Sequence, residues 1–177
     1  MRKVKIGNRL VGDGEPVFVV AEAGVNHNGD ISLAKKLVDA AKDAGADAVK
    51  FQTGKVDETV TINAPKAEYQ TNFKKLNESQ YQMLKKLEFT EEQWFELAGF
   101  ARDVGITFFS KPSYEGAVDL LVKVGVPAIK IGSGDVTYLT LLHRAAKTGL
   151  PIILSTGMST LGEIDDAINV IHLEKNE

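Results

Sequence analysis

A chain of 177 residues is long enough for one domain with a substantial core, and its 44% hydrophobic and 25% charged content is that of an ordinary globular protein. The formal net charge of -3 provides no broad basic field, which argues against a nucleic-acid partner, and the absence of cysteine excludes a disulfide framework and a cysteine-based metal site. Residues 1–14 are too polar and glycine-broken for a signal peptide, and no apolar run approaches the roughly 20 residues of a membrane helix, so a soluble, cytoplasmic protein with no membrane partner is expected.

In chain order, residues 4–6 and 10–11 flank Gly7-Asn8 and predict a small hairpin. Residues 17–21 form a β-branched run that predicts a strand buried on both faces. Asn28-Gly29-Asp30 leads into a helix over residues 31–44, with Leu33, Leu37 and Ala40 or Ala41 on its apolar face and Gly45 as its stop. Residues 46–51 predict the next strand. The polar stretch 53–89 follows, with a short helix over 79–87; a connection this long tends to be functional or a lid. Thr90 is placed to cap a helix that runs to Val104, with an acidic first turn.

From there strands and helices alternate: strand 106–109, helix 114–124, strand 127–131, helix 138–147, strand 151–154 and helix 161–171. Strand–helix repeats at this spacing predict an α/β fold with a parallel sheet and right-handed crossovers. Five such repeats leave two architectures open. One is the N-terminal portion of a (β/α) TIM-type barrel, which when complete takes about 250 residues. The other is a finished open sheet, which composition alone favours. In the barrel the N-terminal hairpin would plug the bottom.

The polar residues gather where parallel strands end, the usual place for an active site in such folds. Glu22, Asn26, His27 and Asn28 follow the first long strand, Lys50 and Gln52 end the second, and Ser110 and Lys111 the third. Lys130, Ser133 and Asp135 follow the fourth, and Ser155 and Thr156 the fifth. Lys50 and Lys130 sit inside apolar runs. A buried, unpaired ammonium costs several kcal/mol, so each implies an anion beside it: Glu22, Asp135 or a ligand. Together with Lys111 they favour an anionic ligand such as a phosphate; a Schiff-base lysine is the other functional reading. Gly132-Ser133-Gly134 and Ser155-Thr156-Gly157 can supply backbone and hydroxyl donors to an oxyanion. Glu22 is a candidate general base or hydroxyl-binding carboxylate. His27, between two asparagines, reads as a loop hydrogen-bonder, His143 and His172 as non-chemical, and Trp94 and Phe95 as packing residues. No internal metal-ligand cluster is visible in the sequence, so no metal site is assigned to these residues.

Residues 21–29 (Ala-Glu-Ala-Gly-Val-Asn-His-Asn-Gly) resemble the first-strand signature of the N-acetylneuraminate (sialic acid) synthase family. Asp47-Ala48-Val49-Lys50-Phe51-Gln52-Thr53, Lys130-Ile131-Gly132-Ser133-Gly134-Asp135 and Leu154-Ser155-Thr156-Gly157-Met158 resemble its next landmarks in the same order, and the resemblance runs from about Ile6 to Ile171. It implies a (β/α)8 barrel and a condensation of phosphoenolpyruvate with an N-acetylated sugar such as N-acetylmannosamine. A divalent metal, manganese or magnesium, would polarise the sugar aldehyde.

By matching motifs, Lys50, Lys130, Ser133 and Ser155 would hold phosphoenolpyruvate, with Ser110 and Lys111 at the phosphate rim. Glu22 and Gln52 would line the sugar and the reacting carbons, Asp135 would be the acid/base or water-orienting carboxylate, and the Asn77 region would close over the sugar. The family commonly has Ser-Thr-Pro where this chain has Ser110-Lys111-Pro112, and Glu where it has Asp135. The resemblance also places two metal-binding histidines, and an antifreeze-like domain that contributes an arginine across a homodimer, beyond these 177 residues. The expectation is therefore an incomplete barrel that needs further chain for catalysis. A half-barrel binding or assembly module and a Schiff-base aldolase using Lys130 or Lys50 are the alternatives.

Overall fold

The computed structural model describes residues 3–66 and 79–174. Strands β1 (Val4–Ile6) and β2 (Arg9–Val11) pair antiparallel, Val4 opposite Val11. Ile6 is buried, Gly7 packs toward Thr107 and Pro127, and Arg9 is ion-paired with Asp47. The hairpin therefore lies against residues that precede the later strands, at the end of the sheet opposite the polar rim.

The remaining strands are parallel. β3 (Val20–Gly24), β4 (Ala48–Thr53) and β5 (Thr107–Pro112) form one ladder in that order, and β6 (Ile129–Ile131) and β7 (Ile152–Leu154) form a second. Each strand is followed by helix: α1 (Ile31–Asp43) after β3, then α2 (Val56–Thr59), α3 (Gln80–Lys85) and α4 (Glu91–Asp103) after β4. α5 (Glu115–Val124), α6 (Leu139–Ala146) and α7 (Leu161–Leu173) follow β5, β6 and β7. The fold class is the α/β, parallel-stranded one expected.

The helices start where side chains can take up their free N–H groups. Asp30 accepts from Ser32 and Leu33 ahead of α1, while Ser79, Thr90 and Thr160 each form a capping box with Gln82, Gln93 and Glu163. The core lies between the strands and the helix layer. Val49, Phe51, Phe108, Ile129 and Ile131 meet Val38, Trp94, Leu97, Leu121, Leu141 and Leu142, all buried.

Several expectations shift. The first long strand starts at Val20 rather than Val17, and Val17 and Val19 are 81% and 51% exposed instead of buried. The sheet begins where Val20 finds its partner Ala48, and the strand continues through the polar Glu22 to Gly24. On α1 the buried line is Ala34, Val38 and Ala41, one position along from Leu33 and Leu37, because small side chains permit the close approach to the sheet. Phe95 is 45% exposed, so only Trp94 of that pair fills the core. β5 extends past Phe109 through Ser110, Lys111 and Pro112, and the short helix α2 lies in a stretch where no helix was expected.

Candidate functional site

Strand register decides which side chains share a face. Glu22, Lys50 and Phe109 align across β3, β4 and β5, and Gln52 aligns with Lys111. Alternation along the strands puts Lys50, Gln52, Phe109 and Lys111 on one face and Phe51, Thr53 and Ser110 on the other, toward the helices.

On the first face, Lys50 is only 9% exposed and its Nζ lies 2.5 Å from Glu22 Oε2. The buried ammonium is thus neutralised by a carboxylate whose own side chain reaches solvent. Gly24 draws this corner together: the position a Cβ would take there is 3.1 Å from Glu22 Oε1 and 3.4 Å from Gln52 Nε2. Lys111 Nζ lies 2.7 Å from Asp135 Oδ2 and 3.4 Å from Ser113 Oγ. Asp135 reaches the rim from a 3₁₀ turn, Ser133–Asp135, that directly follows β6.

Lys130 differs from the other two lysines. Its Nζ donates to Ser155 Oγ at 2.6 Å and to the Ile131 carbonyl at 2.5 Å. Among the described residues it has no carboxylate partner. Burial lowers its pKa below the ordinary lysine value, and the charges of Lys50 and Lys111 push the same way, against the opposing pull of Glu22 and Asp135. Lys50 and Lys111 stand on the paired strands β4 and β5, and the Lys111–Asp135 ion pair ties that ladder to the turn after β6, the strand that carries Lys130. The rim therefore gathers three cations and two carboxylates, and the lysine without an acidic partner is held by a hydroxyl and a carbonyl.

Two backbone donors are already used. Ser155 N–H bonds the Ile131 carbonyl and Asp135 N–H bonds the Gly132 carbonyl, so neither of these two is free to meet an anion. Ser133 is half-buried at the start of the turn.

The structure does not bring every expected residue to this face. Ser110 is fully buried, and its hydroxyl shares a 2.8 Å hydrogen bond with that of Thr53 beside Phe51 and Phe108. Ser110 is one residue out of step with the lysine face. Ser110→Ala is expected to leave Thr53 without its partner and to lower stability by about 1–2 kcal/mol, with anion binding unchanged. Urea denaturation and calorimetry on the same variant check both halves. Asn77 lies outside the described residues.

His27 is not at the rim either. It is fully buried, its Nδ1 accepts from Gly29 N–H at 3.1 Å, and it stacks on Phe89 with centroids 4.2 Å apart, near Phe51 and Trp94. Burial lowers its pKa below the ordinary histidine value. It is a loop hydrogen-bonder as its sequence context implies, but one sealed inside an aromatic box.

The cleft beside Gln52 is not legible in the sequence. Val25, Val56, Leu84, Leu87 and Ser113 line it, and Glu88 accepts the Val56 N–H at 2.5 Å. The one signal was the length of the 53–89 connection, whose helices α2 and α3 form the cleft's outer wall. Among the described residues no group of three or more His, Asp or Glu side chains is placed to hold a metal ion, and no helix is long and apolar enough to cross a membrane.

Comparison with known proteins bears on this arrangement. The chain is 48% identical over 170 residues to the N,N'-diacetyllegionaminic acid synthase of Legionella pneumophila, covering 96% of this chain and 48% of that protein. It is 34% identical over 163 residues to the N-acetylneuraminate-9-phosphate synthase of Mus musculus, covering 92% and 45%. The crystal structure of the N-acetylneuraminic acid synthetase of Leptospira borgpetersenii superposes with a TM-score of 0.83 at 33% identity, over 98% of this chain and 56% of that one. The chain thus spans about half the length of the curated relatives it matches. Residues 37–177 match the NeuB family model, which with these relatives shows that the chain belongs to the NeuB family.

Proposed function

We propose that this protein is the phosphoenolpyruvate-holding part of a nonulosonic acid synthase, built as the N-terminal portion of a (β/α)8 barrel. The single observation that carries the reading is Lys130: a lysine with most of its surface covered, held by Ser155 and a carbonyl, with two further lysines close by and, among the described residues, no carboxylate of its own. A site with that surplus of cations is suited to a small ligand carrying both a carboxylate and a phosphate.

In this reading Lys130, Ser155, Lys50 and Lys111 hold the two anionic ends of phosphoenolpyruvate, with Ser133 at the turn. Fixing both ends leaves C3 free to meet an aldehyde, the entropic part of the catalysis. C3 attacks the carbonyl carbon of an open-chain acetamido sugar, the aldehyde oxygen takes a proton, water adds at C2, and phosphate leaves with its bridging oxygen. Glu22 and Gln52, which meet around Gly24, line the sugar end in this reading. Asp135 is the carboxylate available to orient or deprotonate the water. Ser110 has no part, since its face is the helix side. The described residues do not fit a divalent metal by themselves, and no step here runs through one. The relatives' names favour an acetamido sugar acceptor; the reading further places the protein in the cytoplasm, with a homodimer for the full-length form.

The test is ³¹P NMR of phosphoenolpyruvate mixed with the full-length form of the protein, an acetamido aldose and magnesium, a diamagnetic ion that leaves the phosphorus signals sharp. Phosphate release that requires the sugar supports the proposal. Release that proceeds equally without sugar, or that yields pyruvate, contradicts it.

A second reading has one observation in its favour: burial, with Lys50 and Lys111 acting the same way, lowers the Lys130 pKa, the direction a Schiff-base lysine requires. Borohydride trapping of pyruvate on Lys130 would establish it, and an untouched mass would dismiss it.

A further inference from the structure

The two ladders of the sheet do not share hydrogen bonds among the described residues: β5 closes one and β6 opens the other. The Lys111–Asp135 ion pair crosses that seam at the rim, from the end of β5 to the turn after β6. Gly132 makes the crossing possible. A Cβ at that position would stand 3.1 Å from Asp135 Oδ2 and 3.2 Å from Lys111 Cε, so both side chains lie over the bare glycine.

Asp135 is therefore a substitute anion. It occupies the lysine that the proposed ligand needs, and while it does so it cannot act on water at the reacting carbon. Lys130, which has no acidic partner among the described residues, needs no such displacement to receive an anion.

We infer that ligand binding is an exchange at Lys111: the anionic end of phosphoenolpyruvate, or of a phosphate of the same chemistry, displaces Asp135, and the displaced carboxylate is thereby released to act at the bound substrate. This rests on the phosphoenolpyruvate reading above and adds to it an order of events. The base becomes free only when the anion is in place. Phosphate is a strong competitor for this position, because it presents nearly two negative charges near neutral pH where the aspartate presents one.

The exchange makes a counter-intuitive demand. Removing a residue of the site should tighten ligand binding. Calorimetric titration with phosphoenolpyruvate, and separately with inorganic phosphate, is expected to show roughly fivefold tighter binding to Asp135→Asn than to wild type, since the competing ion pair is gone. Lys111→Ala should weaken binding, and in the Lys111→Ala background Asp135→Asn should have little further effect. That cycle separates direct competition for Lys111 from general repulsion by the carboxylate, which would persist without the lysine. Circular dichroism establishes folding of each variant, and Asp135→Ser replaces Asp135→Asn if the latter does not fold. If wild type binds and the Asp135 variants bind equally or more weakly, the exchange is overturned and the phosphoenolpyruvate reading stands. If wild type binds neither ligand, both fall.

Discussion

Gly29→Ala is expected to destabilise the protein by about 3 kcal/mol or more, an effect set by two independent costs. Gly29 has φ +77°, and holding an L residue in left-handed backbone costs about 1–2 kcal/mol. The second cost is steric. A Cβ there would come 2.2 Å from the Lys86 carbonyl oxygen, a backbone atom that cannot rotate away. Forcing such a contact costs a further ~1–3 kcal/mol. The loop after β3 therefore packs directly on the chain that leaves α3, and one methyl group is enough to part them. Urea denaturation checks the magnitude; a change within about 0.5 kcal/mol would mean that the close approach is absent. Since α3 walls the cleft beside Gln52, the same variant should also loosen that wall, read as faster hydrogen exchange in residues 80–87.

Acid should expose His27. The folded ring is neutral: its Nδ1 accepts from Gly29 N–H, and Phe51, Phe89 and Trp94 surround it. A proton on Nδ1 would remove that acceptor and bury a charge among rings. Burial lowers the folded pKa below the ordinary value of 6.5, so between the two values the unfolded chain binds more protons than the folded one. The stabilisation is fully present above pH 6.5 and is lost as the pH falls below it, until the depressed folded value is reached. The slope in that window approaches but does not exceed about 1.4 kcal/mol per pH unit. Thermal melts from pH 8 to 5 should therefore be level at the alkaline end and decline below about 6.5. His27→Phe keeps an aromatic ring in the box but cannot titrate, so it should start less stable and lose the His27 part of the decline. Parallel curves for the two proteins would show that the decline originates elsewhere.

How much of this was readable beforehand varies by residue, for physical reasons. Lys50 and Lys130 are conspicuous because an ammonium inside an apolar run is costly, and the structure places each beside a polar partner, Glu22 and Ser155. The helix starts were legible where a local rule governs them, as at Thr90, whose capping box needs only residues three apart. The first long strand was misplaced because β-branched Val17–Val20 outweighs Glu22–Gly24 in local preference, whereas the actual strand is set by pairing with Ala48–Phe51. The face of Ser110 is hidden from the sequence for a related reason. A period of two is informative only once the register is known, and Ser110 faces with Phe51 rather than with Lys50. His27 between two asparagines reads as solvated. Phe89 and Trp94, which bury it, arrive from a distant part of the chain. The Lys111–Asp135 pair was out of reach in the same way, since it joins two elements that only the fold brings together.

If the rim around Lys130 holds phosphoenolpyruvate, calorimetric titration of phosphoenolpyruvate into wild type and Lys130→Ala, with circular dichroism on both, will separate the two proteins. Saturable binding to wild type is expected, weakened by at least about tenfold in the variant, because a desolvated charge-assisted contact of this kind is worth about 1.5–3 kcal/mol. Equal affinities in two folded proteins, or no binding to wild type, would contradict that reading.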